Sequence, residues 1–316
     1  MRLEQVGKTC NAIMDEIGKA IVGKREIMER VILAVLCDGH LLFEDFPGLA
    51  KTLMAKSFAV ASGCDFKRIQ FTPDLLPADI TGTYVFRRDG GSFDLRKGPV
   101  FANILLADEI NRAPPKTQAA LLEAMQEKQV TLEGNTHPLP RPFIVLATQN
   151  PLEYEGTYPL PEAQVDRFLL KTEVGYPSVE EEREILDRRK ERKREEVDLA
   201  QVCSPETIME MQAAVEQVHV EDSMRDYIVS IVDATRNNSQ LEVGASPRGS
   251  LGLMRLSMAL AAINGRDYII PDDVKKVAIP ALAHRLILQP DPWIKGVRAE
   301  QILGRILMEI PVPKVE

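Results

Sequence analysis

The chain has 316 residues, 45% of them hydrophobic, which is enough for two domains with a sizeable core. Its formal net charge of −8 makes nucleic acid an unlikely partner class. Its apolar runs fall short of the roughly 20 residues that span a bilayer, and the first residues hold no apolar signal core, so no membrane insertion is expected.

Residues 11–36 carry apolar positions at helical spacing, broken at Ile21-Val22-Gly23-Lys24, which predicts two helices. Four β-like runs follow, at Leu41-Leu42-Phe43, Arg68-Ile69-Gln70-Phe71, Asn103 to Ala107 and Phe143 to Ala147, with a fifth at Phe168 to Val174. The interior runs are apolar without alternation, as parallel strands covered on both faces are. Helical stretches separate most of them and imply right-handed βαβ units. Pro114-Pro115 suits the first turn of a helix carrying Ala119, Leu122 and Met125. Composition shifts near Gly175-Tyr176-Pro177-Ser178. Beyond it, Glu180 to Glu196 is dense in both charge signs and reads as a solvated helix face. The remainder reads as helix throughout, with starts at Ser204, Ser246 and Pro271-Asp272-Asp273. The expected fold class is α/β, with a parallel-sheet core over residues 1–176 and a smaller all-α domain over 177–316.

The segment Asp45-Phe46-Pro47-Gly48-Leu49-Ala50-Lys51-Thr52 lies between the first β-like run and a helical stretch, the setting of a phosphate-cradling loop. It departs from the pattern G-x-x-x-x-G-K-[ST] at both glycines, where Asp45 and Ala50 stand. Pro47-Gly48 still supplies a tight turn, and Lys51-Thr52 is intact. On this reading Lys51 bridges the β and γ phosphates of a nucleoside triphosphate, and Thr52 binds Mg2+ through its hydroxyl. Taken alone, the segment also suits a plain strand–turn–helix corner.

Ile104-Leu105-Leu106-Ala107-Asp108-Glu109 places two carboxylates at a strand end. Asp108 is then near the metal, and Glu109 orients and deprotonates the attacking water; by itself such an end is also a common solvated one. A third strand end, Thr148-Gln149-Asn150, offers the Asn150 amide to hold that water or sense the γ-phosphate. Arg167 precedes the fifth β-like run, where it would lie too far from its own chain's phosphates to touch them easily, and suits an arginine finger given to a neighbouring subunit, the plainer reading being an Asp166–Arg167 surface pair. Arg248, in Ser246-Pro247-Arg248-Gly249, reports γ-phosphate loss as domain motion or is a capping arginine.

Together these segments resemble the AAA+ ATPases, and in detail the MoxR family. The resemblance runs closely over residues 20–170, through Gln70-Phe71-Thr72-Pro73-Asp74-Leu75-Leu76-Pro77, Ile110-Asn111-Arg112 and Gln164 to Phe168, and more loosely to about residue 285. It implies that Pro47 to Thr52 form the Walker A loop and Asp108-Glu109 the Walker B pair. Asn150 is then sensor 1, Arg167 the trans finger and Arg248 sensor 2, while Ile21-Val22-Gly23 packs against adenine. It further implies ATP and Mg2+ bound between core and lid, and a homo-oligomeric ring, commonly a hexamer. The partners implied are client proteins remodelled in a chaperone-like way, frequently with von Willebrand factor A domains. Similar proteins carry a hairpin in helix 2, which Ile80 to Phe93 fits, with Asp89-Gly90-Gly91 as its turn; a second hairpin is expected at Gln129 to Thr136.

Two other readings differ in class. An ATP-switched binding scaffold with little hydrolysis is favoured by Asp45 and Ala50, and disfavoured by the full set of Glu109, Asn150 and Arg167. A DNA-remodelling motor is disfavoured by the net charge of −8. The four cysteines are scattered without metal-ligand spacing, which suits free thiols in a reducing cytoplasm, and the four histidines form no metal cluster.

Overall fold

The computed structural model describes residues 1–87, 92–151 and 156–313. Two helices come first, α1 (Leu3–Gly18) and α2 (Arg25–Leu36), with the expected break between them. Helix α1 starts earlier than the periodicity suggests, because Val6 and Cys10 extend the buried stripe of Ile13, Met14 and Ile17. Then follow β1 (Leu41–Glu44), α3 (Lys51–Ser62), β2 (Phe66–Gln70) and the short α4 (Pro77–Thr81). A hairpin of β3 (Gly82–Arg87) and β4 (Ser92–Lys97) leads to β5 (Ile104–Asp108) and α5 (Pro115–Glu127). The expected turn of that hairpin, Asp89-Gly90-Gly91, lies outside the described residues. A second hairpin, β6 (Gln129–Leu132) and β7 (Asn135–Pro138), precedes β8 (Ile144–Gln149), α6 (Glu162–Val165) and β9 (Leu170–Thr172).

The order β2-β5-β8-β1-β9 makes one sheet with every pair parallel. The chain leaves β1 for the far edge at β2 and returns through β5 and β8. The carboxyl ends of β5, β8 and β1 therefore stand side by side, the place where open α/β sheets hold ligands. Side chains alternate between the faces: Leu41, Phe43, Leu106 and Leu146 enter one core, Leu42, Leu105, Val145 and Ala147 the other. The amino end of β1 is pinned by His40. The Val145 amide donates to its Nδ1 at 3.0 Å, which leaves the proton on Nε2 to donate to the Met125 carbonyl at 3.0 Å. Burial holds this imidazole neutral, with its pKa pushed down to about 4.

Past the sheet come α7 (Val179–Arg192), α8 (Pro205–Val215), α9 (Asp222–Arg236), β10 (Leu241–Val243), α10 (Pro247–Ile263) and α11 (Pro271–Leu282). β11 (Ile287–Leu288), α12 (Pro290–Ile294) and α13 (Ala299–Glu309) complete the order. Ser204 and Ser246 cap α8 and α10 by accepting from the Thr207 and Arg248 amides. Helix α7 has no buried residue, in keeping with its mixed charge. The reading of helix throughout is corrected at one place. β10 and β11 pair antiparallel, Leu241 against Leu288 and Val243 against Ile287, in stretches too short to show a period.

Helices α1 and α2 share a core with α8 to α11 and α13 as well as with the sheet. At Gly7 the approach is at backbone level, since a Cβ there would lie 2.5 Å from the Ile263 carbonyl oxygen of α10. Among the described residues no helix is long and apolar enough to cross a membrane. The four cysteines are free and buried.

Candidate active site

The loop from β1 to α3 turns through two left-handed residues, Gly48 (φ 83°) and Ala50 (φ 56°). Ala50 is the N-cap of α3, so the helix's first amides open toward the loop, where an anion is favoured. The general pattern's glycine at this position is explained by that φ, and the alanine methyl costs about 1 kcal/mol there. The Lys51 ammonium donates to the carbonyls of Asp45 at 2.7 Å and Phe46 at 2.8 Å. Burial lowers its pKa, while Asp45, Asp108 and Glu109 act in the opposite direction.

Asp45 stands where a glycine belongs, and its carboxylate is held by three backbone amides. Its Oδ2 accepts from the Val174 and Gly175 amides, both at 2.7 Å, and its Oδ1 from the Phe46 amide at 2.8 Å. The residue is 6% exposed. Three donors thus answer the repulsion that a carboxylate near phosphates would otherwise bring. The Phe46 ring stacks on Tyr176, 5.9 Å between centroids, so the loop and the segment after β9 are joined twice.

At the end of β5, Asp108 accepts from the Thr148 hydroxyl at 2.6 Å through Oδ1. Its Oδ2 takes Arg68 Nε at 3.0 Å and Nη2 at 2.7 Å. Glu109 is left-handed (φ 56°), and its amide donates to Thr148 Oγ1 at 2.8 Å. Its Oε2 accepts from Gln70 at 2.6 Å and Arg112 at 3.0 Å. Asn150 follows β8, its carbonyl accepting from Asn111 at 3.4 Å.

These groups meet in one cleft of about 420 Å³. Pro47, Gly48, Leu49, Ala50, Lys51, Thr52, Asp108, Glu109 and Asn150 line it, all read from the sequence. Arg68, Gln70 and Thr148 line it too, without having been singled out. The signal for the first two was present: residues 68 and 70 share one side of an edge strand, two apart. The Thr52 hydroxyl and Asp108 carboxylate are hard oxygen donors, few in number, and suit Mg2+ carried in with a phosphate chain.

Five of the expected site residues, Ile21, Val22, Gly23, Arg167 and Arg248, lie outside this cleft. Ile21 and Val22 are buried, the Glu181 carboxylate covers Gly23, and Lys24 Nζ donates to the Tyr176 carbonyl at 2.8 Å. The cleft itself is lined by residues of the parallel-sheet core, between positions 45 and 150. Arg248 is in a different cleft, of about 290 Å³, with Arg167, His40, Gly39 and Asp38, at the amino end of β1. The loop of the same chain begins at the carboxyl end of that strand, about 13 Å away for four residues. Nor does Asp166 pair with Arg167. Asp166 takes Arg285 at 2.7 Å and Arg248 at 3.7 Å, while Arg167 donates to the Leu122 carbonyl at 3.1 Å.

Comparison with known proteins agrees with this geometry. Residues 40–170 match the model for the ATPase family associated with various cellular activities (AAA), and residues 233–306 match the AAA lid domain. The chain is 48% identical to the uncharacterized protein YeaC of Bacillus subtilis, over 95% of this chain and 93% of that one. It is 47% identical to Chaperone MoxR1 of Mycobacterium tuberculosis, over 95% and 81%. A crystal structure of a Cytophaga hutchinsonii protein assigned as an ATPase superposes with a TM-score of 0.93 at 42% identity, covering 99% of this chain and 97% of that one. A parallel five-stranded α/β core followed by a helical lid, together with these relatives, identifies the chain as a member of the MoxR family of AAA+ ATPases.

Proposed function

We propose that this chain hydrolyses ATP with Mg2+ and uses the cycle to remodel client proteins. It works as a homo-oligomeric ring, a hexamer, in the cytoplasm, and its clients include proteins with von Willebrand factor A domains. Residues 1–176 act as the ATPase core and 177–316 as the lid. The observation that carries the reading is the meeting of Lys51, Thr52, Asp108, Glu109 and Asn150 in one cleft at the carboxyl edge of the sheet. Thr52 and Asp108 would hold Mg2+ together with the triphosphate, and the ion would supply charge neutralisation there.

Lys51 leaves the carbonyls of Asp45 and Phe46 for the β and γ phosphates. Glu109 takes a proton from water as that water attacks the γ-phosphorus in line, and ADP departs from the opposite side. Asn150 holds the same water in place. Arg167 and Arg248 serve the neighbouring subunit's phosphates, since both lie at the other end of β1 from their own loop. The scaffold reading leans on Asp45 and Ala50, and the pairing of the Asp45 carboxylate with three backbone amides weakens the first of these two supports.

The test is ATP turnover by wild type and Glu109→Gln, with light scattering in the presence and absence of nucleotide. The expected result is nucleotide binding in both, turnover in the wild type only, and larger particles with ATP. Turnover retained in Glu109→Gln would remove Glu109 from its role. Binding without turnover in either protein would favour the scaffold.

A further inference from the structure

Which cation does the metal-anchoring carboxylate see inside this chain? Lys51, the obvious candidate, spends its ammonium on two carbonyls. Arg68 instead places two nitrogens on a single oxygen, Asp108 Oδ2, at 2.7 and 3.0 Å. The other oxygen, Oδ1, accepts from the Thr148 hydroxyl, which the Glu109 amide holds from behind. The orientation of the Asp108 carboxylate is thus fixed from both sides, and Arg68 is the charged half of that fixation. Its position is built into the sheet: β2 is the edge strand beside β5, with Gln70 opposite Asp108 in the register, so Arg68 leans along the strand toward the carboxylate. Its Nη2 also donates to Gln70 Oε1 at 2.7 Å, which aims the guanidinium. The side chain is 47% exposed, so it can leave without unfolding anything.

We infer that Arg68 competes with the metal for Asp108 Oδ2, so that the guanidinium must give up this oxygen when Mg2+ enters with a nucleotide. This rests on the ATP and Mg2+ reading of the cleft and adds to it a gate on the metal. Two cations compete for one oxygen, and a strongly hydrated divalent ion needs that oxygen, or a water bound to it, with a lone pair turned toward it. Removing the guanidinium lifts the competition. The guanidinium is half-exposed while the Asp108 carboxylate is mostly buried, so loss of the pair makes Mg2+ occupancy easier by about fivefold.

The experiment titrates Mg2+ against a fluorescent, non-hydrolysable ATP analogue, and reads the Mg2+ concentration at half-maximal nucleotide binding. In Arg68→Gln that midpoint is expected to fall about fivefold. In Arg68→Lys, which keeps the charge and loses the two-pronged contact, it falls less. With Asp108→Asn already present, adding Arg68→Gln changes nothing further. Thermal melts of each variant confirm folding, and Arg68→Lys carries the test if Arg68→Gln does not fold. Nucleotide binding with an unchanged or raised midpoint in both Arg68 variants would overturn the exchange and leave the ATP site standing. A wild type that binds no nucleotide at any Mg2+ concentration would overturn the ATP reading and the exchange with it.

Discussion

Replacing Asp45 by glycine restores the first glycine of the general phosphate-loop pattern, and a sequence rule alone would expect the protein to gain from it. The geometry dictates a loss. The carboxylate receives three backbone N–H groups, from Phe46, Val174 and Gly175, at 2.7 to 2.8 Å. A hydrogen bond to a charged group contributes about 1.5–3 kcal/mol, part of which the buried carboxylate loses to its own desolvation. Truncation leaves those donors without their acceptor, at about 1–3 kcal/mol for each that water does not reach. Glycine adds roughly 0.5–1 kcal/mol of backbone entropy. Asp45→Gly should therefore lower unfolding stability by about 4 kcal/mol, with Asp45→Ala close behind at about 3 kcal/mol. Asp45→Asn falls between these and the wild type, since its amide nitrogen must face at least one donor. Urea denaturation followed by far-ultraviolet circular dichroism, without nucleotide, measures the difference. A loss below about 1 kcal/mol for Asp45→Gly, or any gain, would refute the view that Asp45 braces the loop to the segment after β9.

Ala50→Gly tests the opposite sign in the same loop. The left-handed φ of 56° favours glycine, so this variant should be more stable by about 0.5–1 kcal/mol in the same denaturation. His40 predicts a pH dependence. Its folded pKa of about 4 lies below the ordinary value of about 6.5, so as pH falls the unfolded chain takes up the proton first. Stability should be level above pH 6.5 and decline by about 3 kcal/mol between pH 6.5 and 4. His40→Gln should flatten that slope, and equal slopes would remove His40 as its cause. Arg167→Ala and Arg248→Ala should each abolish turnover while sparing nucleotide binding. Mixing either with Lys51→Ala should return about a quarter of wild-type turnover in a randomly mixed ring, and no recovery would argue against action in trans.

What could be read in the chain was what leaves a local trace. Strands β1, β5 and β8 showed as apolar runs because both faces are covered, and Ser204 and Ser246 announced helix starts because capping is a local bond. The strand–loop–helix setting at residues 41–62 was legible despite Asp45 and Ala50 because Lys51-Thr52 and the flanking strand and helix remained. The brace at Asp45 was invisible, since its partners Val174 and Gly175 lie about 130 residues away. Arg68 sat inside a strand that had been read for its apolar residues, and only the pairing of β2 with β5 brings it to Asp108. The position of Arg248 beside Arg167 follows from how the later helices pack on the sheet, which no spacing records.

The contact at Gly7 ties the first helix of the chain to the end of α10 remote from Arg248. The backbone of α10 meets α1 near Ile263, and fifteen residues of helix, about 22 Å, separate that point from Arg248. Over that length α10 is packed against α9 and α11, with Leu253, Leu256 and Leu260 buried among them. Close packing of this kind transmits strain rather than absorbing it. The place of Arg248 is therefore set by the whole helical set, and a shift of the arginine has to carry those neighbours with it.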